Sequence, residues 1–175
     1  MNIYLIGFMG SGKSTAGKRV AALLRWRFED IDRMVEQKEG MKVPEIFSAR
    51  GEAYFRSAES AALRKVSART RTVVACGGGT PCSAENLQIM KSTGVTVYLK
   101  LSVENLVSRL SRHSNDRPLI RNTDSDALAG RVTSLLGERT QWYEQADLII
   151  DAALTEEEEM TSLIAETVRS KGAYL

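Results

Sequence analysis

The stretch IYLIGFMGSGKST, residues 3–15, decides the fold. An apolar run of strand length stops at Gly7, passes through a loop with Gly10 and Gly12, and meets Lys13, Ser14 and Thr15. Residues 7–14 spell G-x-x-x-x-G-K-S, the phosphate-binding loop. Glycines there admit backbone conformations closed to other residues and let amide N–H groups approach an anion directly. The amides of Gly10, Ser11, Gly12 and Lys13, with Ser14 and Thr15 opening a helix, make an anion site at a helix N-terminus. Lys13 is expected to reach the β- and γ-phosphates, and the Ser14 hydroxyl to ligate Mg²⁺. The ligand expected is therefore ATP with Mg²⁺. A glycine-rich turn before a helix is the plainer alternative. The complete pattern, placed between a strand and a helix at the first βα turn, argues against it.

The rest of the chain suits that beginning. Its 175 residues, 43% hydrophobic, are expected to make one domain over 1–175. A net charge of +2 does not argue for a nucleic-acid partner. Two cysteines, Cys76 and Cys82, are too few for a disulfide framework and are expected to be reduced thiols. The short apolar run at the N-terminus breaks at Gly7, which speaks against a signal peptide or membrane span. A cytoplasmic protein is expected.

Strands are predicted at 3–6, 72–76, 95–101 and 147–150, with a short one in RFEDID (27–32). Helices are predicted at 13–24, 43–67, 83–91, 102–112, 125–145 and 155–171. In the first, Val20, Leu23 and Leu24 share a side; in the last, Thr155 and Glu158 are spaced as a capping box. Continuous apolar strands alternating with helices imply a doubly wound α/β fold, a parallel sheet covered on both faces. Ligands in such sheets bind beyond the carboxyl ends of the strands.

A phosphate loop does not say what receives the phosphate. Asp30 and Asp32, separated by one residue, allow two readings. Extended, they point the same way, one toward a metal's hydration shell and one toward a hydroxyl; otherwise Asp32 caps a helix from Arg33. Arg56, beside Tyr54 and Phe55, fits a solvated helix face. Gly77, Gly78 and Gly79 directly follow a strand, and three consecutive glycines suggest close approach of a ligand to the backbone, since a tight turn needs only one. Leu128, Val132, Leu135, Leu136 and Tyr143 form a buried stripe with Arg139 at its edge, and a guanidinium there needs an anionic partner, internal or bound. RHSNDRPLIRN (112–122) interrupts the helical pattern and reads as a mobile loop carrying Arg112, Arg117 and Arg121. A closing arginine there would neutralise charge on a transferring group. His113 in that loop is expected to face solvent. Trp26, Trp142 and Cys76 are expected to be packing residues.

Taken in order, GFMGSGKST, FEDID, IFSARGEAYFRSAE, GGGTP, RPLI and ERTQWY resemble the shikimate kinase family along almost the whole chain. The resemblance implies a P-loop three-layer α/β/α fold like that of nucleoside-monophosphate kinases, with a five-stranded parallel sheet ordered 2-3-1-4-5. It implies ATP-dependent phosphorylation of the shikimate 3-hydroxyl, in the route to aromatic amino acids. By position, Asp32 resembles the ligand and possible base of the substrate hydroxyl, and Asp30 the carboxylate near Mg²⁺. Arg56 and Arg139 resemble the pair that binds the shikimate carboxylate. Gly77, Gly78 and Gly79 resemble the substrate-contacting triplet, and Arg117 a catalytic lid arginine that reaches ATP from a lid around 112–124. Arg109 or Arg112 resembles the residue stacked on adenine, opposite the loop after Asp151. Cys76 stands where the family often has a small hydroxyl residue. The partners implied are shikimate and ATP, with no nucleic acid and no membrane, and the chain is expected to act as a monomer. The competing expectations are a gluconate-type kinase on the same scaffold, which needs no paired arginines and glycine triplet, and a nucleotide-binding regulator. The chain lacks the N-K-x-D signature by which GTPases read their base.

Overall fold

The computed structural model describes residues 1–111 and 125–171. Five parallel strands form one sheet: β1 (Asn2–Ile6), β2 (Arg27–Asp30), β3 (Thr72–Ala75), β4 (Gly94–Lys100) and β5 (Leu148–Asp151), in the order β2-β3-β1-β4-β5. The register pairs Leu5 with Ala75 and Ile6 with Tyr98, so central β1 is flanked by β3 and β4. Seven helices connect the strands among the described residues: α1 (Lys13–Leu24), α2 (Ile31–Glu39), α3 (Val43–Ser67), α4 (Ala84–Thr93), α5 (Val103–Ser111), α6 (Ser125–Tyr143) and α7 (Glu157–Ser170).

Alternate residues of β1 feed two cores, as the pleat requires. Ile3 and Leu5 pack with Val20 and Leu24 of α1 and with Ile164 and Val168 of α7. Tyr4 and Ile6 face the opposite layer, with Leu63 of α3, Met90 of α4, Leu106 of α5 and Val132 of α6. Helices therefore cover both faces, and β1 is wholly buried. This three-layer α/β/α arrangement is the predicted fold.

Local details depart from expectation. Leu23 is 51% exposed, because α1 turns its buried face along Gly17, Val20, Ala21 and Leu24 instead. Helix α2 starts two residues before Arg33, and its cap is Asp30, whose Oδ1 accepts from the Arg33 N–H at 3.3 Å. Asp32 lies in the first turn and is not the cap. The Thr155–Glu158 box does not form; α7 is capped at Glu156 without a side-chain bond, although its first turn is acidic as the helix dipole favours. Helix α3 is two helices meeting at Gly51, whose φ of 80° and ψ of 169° leave the helical region. Trp26 packs against the α1–α7 core, half-buried.

Because all strands run the same way, the segments after β1, β2, β3 and β5 emerge along one edge of the sheet. The connections diverge to either side of β1 at that edge.

Candidate active site

The loop after β1 is shaped by three glycines at positive φ: Gly7 at 138°, Gly10 at 84° and Gly12 at 93°. Gly12 is the N-cap of α1, and its carbonyl accepts from the Ala16 N–H at 3.0 Å. Lys13 is largely buried in the loop, its Nζ donating to the carbonyls of Gly7 at 2.9 Å and Phe8 at 2.8 Å. The Ser14 hydroxyl donates to Asp30 Oδ2 at 2.7 Å, bringing the end of β2 onto the start of α1.

One cleft is lined by Lys13, Ser14, Asp30, Asp32, Gly77 and Gly78, among others, so the phosphate loop, both carboxylates and the first two glycines of the triplet face a common space. A second cleft, meeting the first at Gly12 and Thr15, is lined by Ser11, Arg19, Arg109, Ala152 and Thr155. Arg109 reaches the loop, its Nη1 donating to Gly10 O at 3.4 Å. Arg109 and the segment after Asp151 thus line one recess. Among the paired candidates, Arg109 is placed here. Arg112, His113, Arg117 and Arg121, with the expected lid, lie outside the described residues.

The glycine triplet has a packing reason at each position. A Cβ on Gly77 would sit 2.7 Å from Asp32 Oδ1 and closer still to Glu59 Oε1. On Gly78 it would meet Arg139 Nη1 at 3.1 Å, and on Gly79 it would collide with the Arg56 guanidinium, 2.5 Å from Cζ. Four charged groups, those of Asp32, Glu59, Arg139 and Arg56, press on these three successive residues, and glycine leaves them room.

Arg56 is not a solvated arginine. Its Nη1 is 2.5 Å from Glu59 Oε2 and its Nη2 is 2.9 Å from Glu52 Oε1, with the guanidinium 5.5 Å from the Phe55 ring centroid. Burial works to lower its pKa, but the two carboxylates outweigh it and the net shift is upward. Glu59 is 1% exposed and also accepts from Thr80 Oγ1 at 2.7 Å, tying α3 to the turn after the triplet. The turn is further held by Asn86 Nδ2, which donates to Thr80 O at 2.8 Å. Glu59 was legible only as the residue one helical turn after Arg56, within a motif already quoted; its burial was not.

Arg139 is 7% exposed, 5.7 Å from the Phe8 ring centroid, and no carboxylate among the described residues pairs with it. One turn on, buried Tyr143 donates its hydroxyl to Gly78 O at 2.5 Å. Burial drives that hydroxyl far above its ordinary ionisation range, more than neighbouring Arg139 pulls it back. Burial likewise pushes the Cys76 thiol far up, so at the cleft wall it is a neutral group. The Cys82 thiol, raised by burial to about 11, donates to the same Gly78 carbonyl at 3.7 Å. No group of three or more His, Cys, Asp or Glu side chains among the described residues could by itself hold a metal. No helix among them is long and apolar enough to cross a membrane.

The chain is similar to known proteins along most of its length. A family model described as shikimate kinase matches residues 9–169. The shikimate kinase of Gloeobacter violaceus is 43% identical over 153 residues, 87% of this chain and 84% of that protein. That of Caldanaerobacter subterraneus subsp. tengcongensis is 40% identical over 172 residues, 98% of each. A structure of shikimate kinase from Acinetobacter baumannii in complex with shikimate superposes with a TM-score of 0.89 at 32% identity, covering 99% of this chain and 95% of that one. A gluconokinase from Sinorhizobium meliloti shares only the fold, with a TM-score of 0.61 at 17% identity over 97% of this chain and 94% of that one.

Proposed function

The chain belongs to the shikimate kinase family, and from that premise we propose how its residues divide the work of phosphorylating the shikimate 3-hydroxyl with ATP. The observation that carries the acceptor's identity is Arg139, a buried guanidinium without a carboxylate partner among the described residues, set beside Gly78, which lines the cleft that holds the phosphate loop. A buried charge of that kind calls for a bound anion. The shikimate carboxylate supplies it, and Arg56 forms the other half of the clamp. Gluconate also bears a carboxylate, and what favours shikimate over it is the family match, since the gluconokinase shares only the fold.

With the carboxylate held at one end, the ring's 3-hydroxyl faces Asp32 and the phosphate loop. Asp32 accepts a hydrogen bond from that hydroxyl and orients it. Its oxygen then bonds to the γ-phosphorus while the bond from that phosphorus to the β–γ bridging oxygen breaks, releasing ADP. The hydroxyl proton leaves toward Asp32. Lys13 and the loop amides stabilise the charge that develops on the phosphate oxygens. The adenine lies in the recess between Arg109 and the residues after Asp151. Arg117, outside the described residues, is assigned to lid closure by the family resemblance alone.

Mg²⁺ fits the donors present: Ser14 Oγ and Asp30 Oδ2 are hard oxygen groups 2.7 Å apart, and Mg²⁺ commonly takes one or two protein oxygens plus phosphates and waters. When bound it neutralises phosphate charge. One chain lines both clefts, so a monomer is the working unit, acting in the cytoplasm where ATP is abundant.

The test is ADP release measured with shikimate, gluconate, nucleoside monophosphates and no acceptor. Release that depends on shikimate alone is expected. Faster release with gluconate, or equal release without an acceptor, would overturn the assignment.

A further inference from the structure

We propose that Tyr143 is a positioning residue that holds the Gly78–Gly79 peptide in its acceptor-binding orientation and locks it to Arg139. The proposal rests on the acceptor-site reading above. Tyr143 is completely buried, yet its hydroxyl reaches across 65 residues of sequence to the Gly78 carbonyl at 2.5 Å. Cys82 approaches that carbonyl with its thiol at 3.7 Å, so two side-chain donors converge on one backbone oxygen. A peptide is planar, with its N–H anti to its carbonyl. Fixing the Gly78 oxygen therefore also fixes the direction of the Gly79 N–H.

That peptide lies between the two arginines. A Cβ on Gly78 would touch Arg139 and one on Gly79 would strike Arg56. Arg139 and Tyr143 are four residues apart on α6, on one helix face, and Arg139 sits beside the Tyr143 hydroxyl. The hydroxyl thus joins three things in register: the helix bearing one arginine, the backbone between both arginines, and, through Thr80 and Glu59, the helix bearing the other. A tyrosine needed only for packing would require its ring, which stacks 5.1 Å from that of Tyr98, and not its oxygen.

Steady-state kinetics of Tyr143→Phe test this, because the ring is kept and only the donor is lost. The KM for shikimate should rise about tenfold, the scale of one buried hydrogen bond. The turnover number and the KM for ATP should stay within about twofold, and the melting temperature should fall little. Cys82→Ala, which removes the weaker donor, should raise the shikimate KM in the same direction but less. Tyr98→Phe, which leaves Gly78 untouched, should change neither. An unmoved shikimate KM in folded Tyr143→Phe overturns the proposal, whether or not its melting temperature falls. So does a rise shared equally with the KM for ATP. Should Tyr143→Phe not fold, Cys82→Ala decides alone by the same criterion. A wild-type enzyme indifferent to shikimate would sink the acceptor assignment itself. A shift in Arg139→Ala beside none in Tyr143→Phe would sink only the positioning role.

Discussion

Arg56 and Arg139 hold their charges in different ways, and the difference predicts different mutants. Arg139 has no carboxylate partner among the described residues, so Arg139→Ala should weaken shikimate binding by about one to two decades, at roughly 1.5–3 kcal/mol per charge-assisted bond. Arg139→Lys should rescue poorly, since a point charge cannot reproduce the planar fork. Arg56→Ala should give a similar loss of affinity and, in addition, lower the melting temperature, because it strips a partner from Glu59, which is 1% exposed. Isothermal titration with shikimate, beside thermal unfolding, separates the two effects. Gly79→Ala should mimic Arg56→Ala in affinity, because the new methyl group displaces the guanidinium. Lys13→Ala should abolish turnover, as measured by ADP release, by removing the charge that meets the developing phosphate oxygens.

At the level of elements, the edge strand β5 depends on one carboxylate. Asp147, just ahead of β5, accepts from the Thr96 N–H at 2.8 Å and the Thr96 hydroxyl at 2.7 Å on β4, and from Lys171 Nζ at 2.6 Å beyond α7. Burial alone would raise its pKa, but these donors outweigh it and hold it down at about 2. An unfolded aspartate titrates near about 3.9. The folded value is the lower one, so the clamp's stabilisation is complete above about pH 4 and is lost as pH falls toward 2. Asp147 is partly exposed, and water screens part of that gain. Asp147→Asn should therefore lower the melting temperature at neutral pH and flatten its fall between pH 4 and 2. A melting curve whose acid limb is unchanged in the variant would remove this role. The break in α3 is a second case. Gly51 at φ 80° turns the chain so that the following helix presents Phe55 to the core and Arg56 and Glu59 to the glycine triplet. Gly51→Ala should cost about 1–3 kcal/mol in urea unfolding, from backbone strain alone.

Across the whole molecule, two clefts meet at the phosphate loop while their distal ends lie far apart in role. A nonhydrolysable ATP analogue and shikimate should each raise the melting temperature. At about one hundred times Kd the stabilisation is about 2.7 kcal/mol, or roughly 5–10 °C for a chain of this size. In Arg139→Ala the shikimate shift should shrink to about half or less at the same concentration while the nucleotide shift persists. Loss of both would mean that the mutation disturbs the fold and not the acceptor end.

The strand–loop–helix order around GSGKS, the alternation of apolar runs with helices, and hence the layered parallel sheet were legible in the sequence. Hydrophobic periodicity and the glycine pattern are local properties of the chain. The same holds for the phosphate loop's ligand class, which follows from backbone amides and one lysine close together in sequence. The acceptor site was legible only in part. Three glycines in a row announced crowding, but a local pattern cannot say that Asp32, Arg139 and Arg56, from separate segments, are what crowds them. Nor could it place the helix cap, which was expected at Asp32 and falls at Asp30, because that choice turns on where β2 ends against β3. Arg56 resembled a surface arginine because its partners' burial depends on how α3 packs. Tyr143 and Gly78 are 65 residues apart, and their bond exists only because α6 closes over the carboxyl end of β3. Charge balance, burial and convergence on one backbone oxygen depend on distances between segments, and those were set when the helices packed onto the sheet.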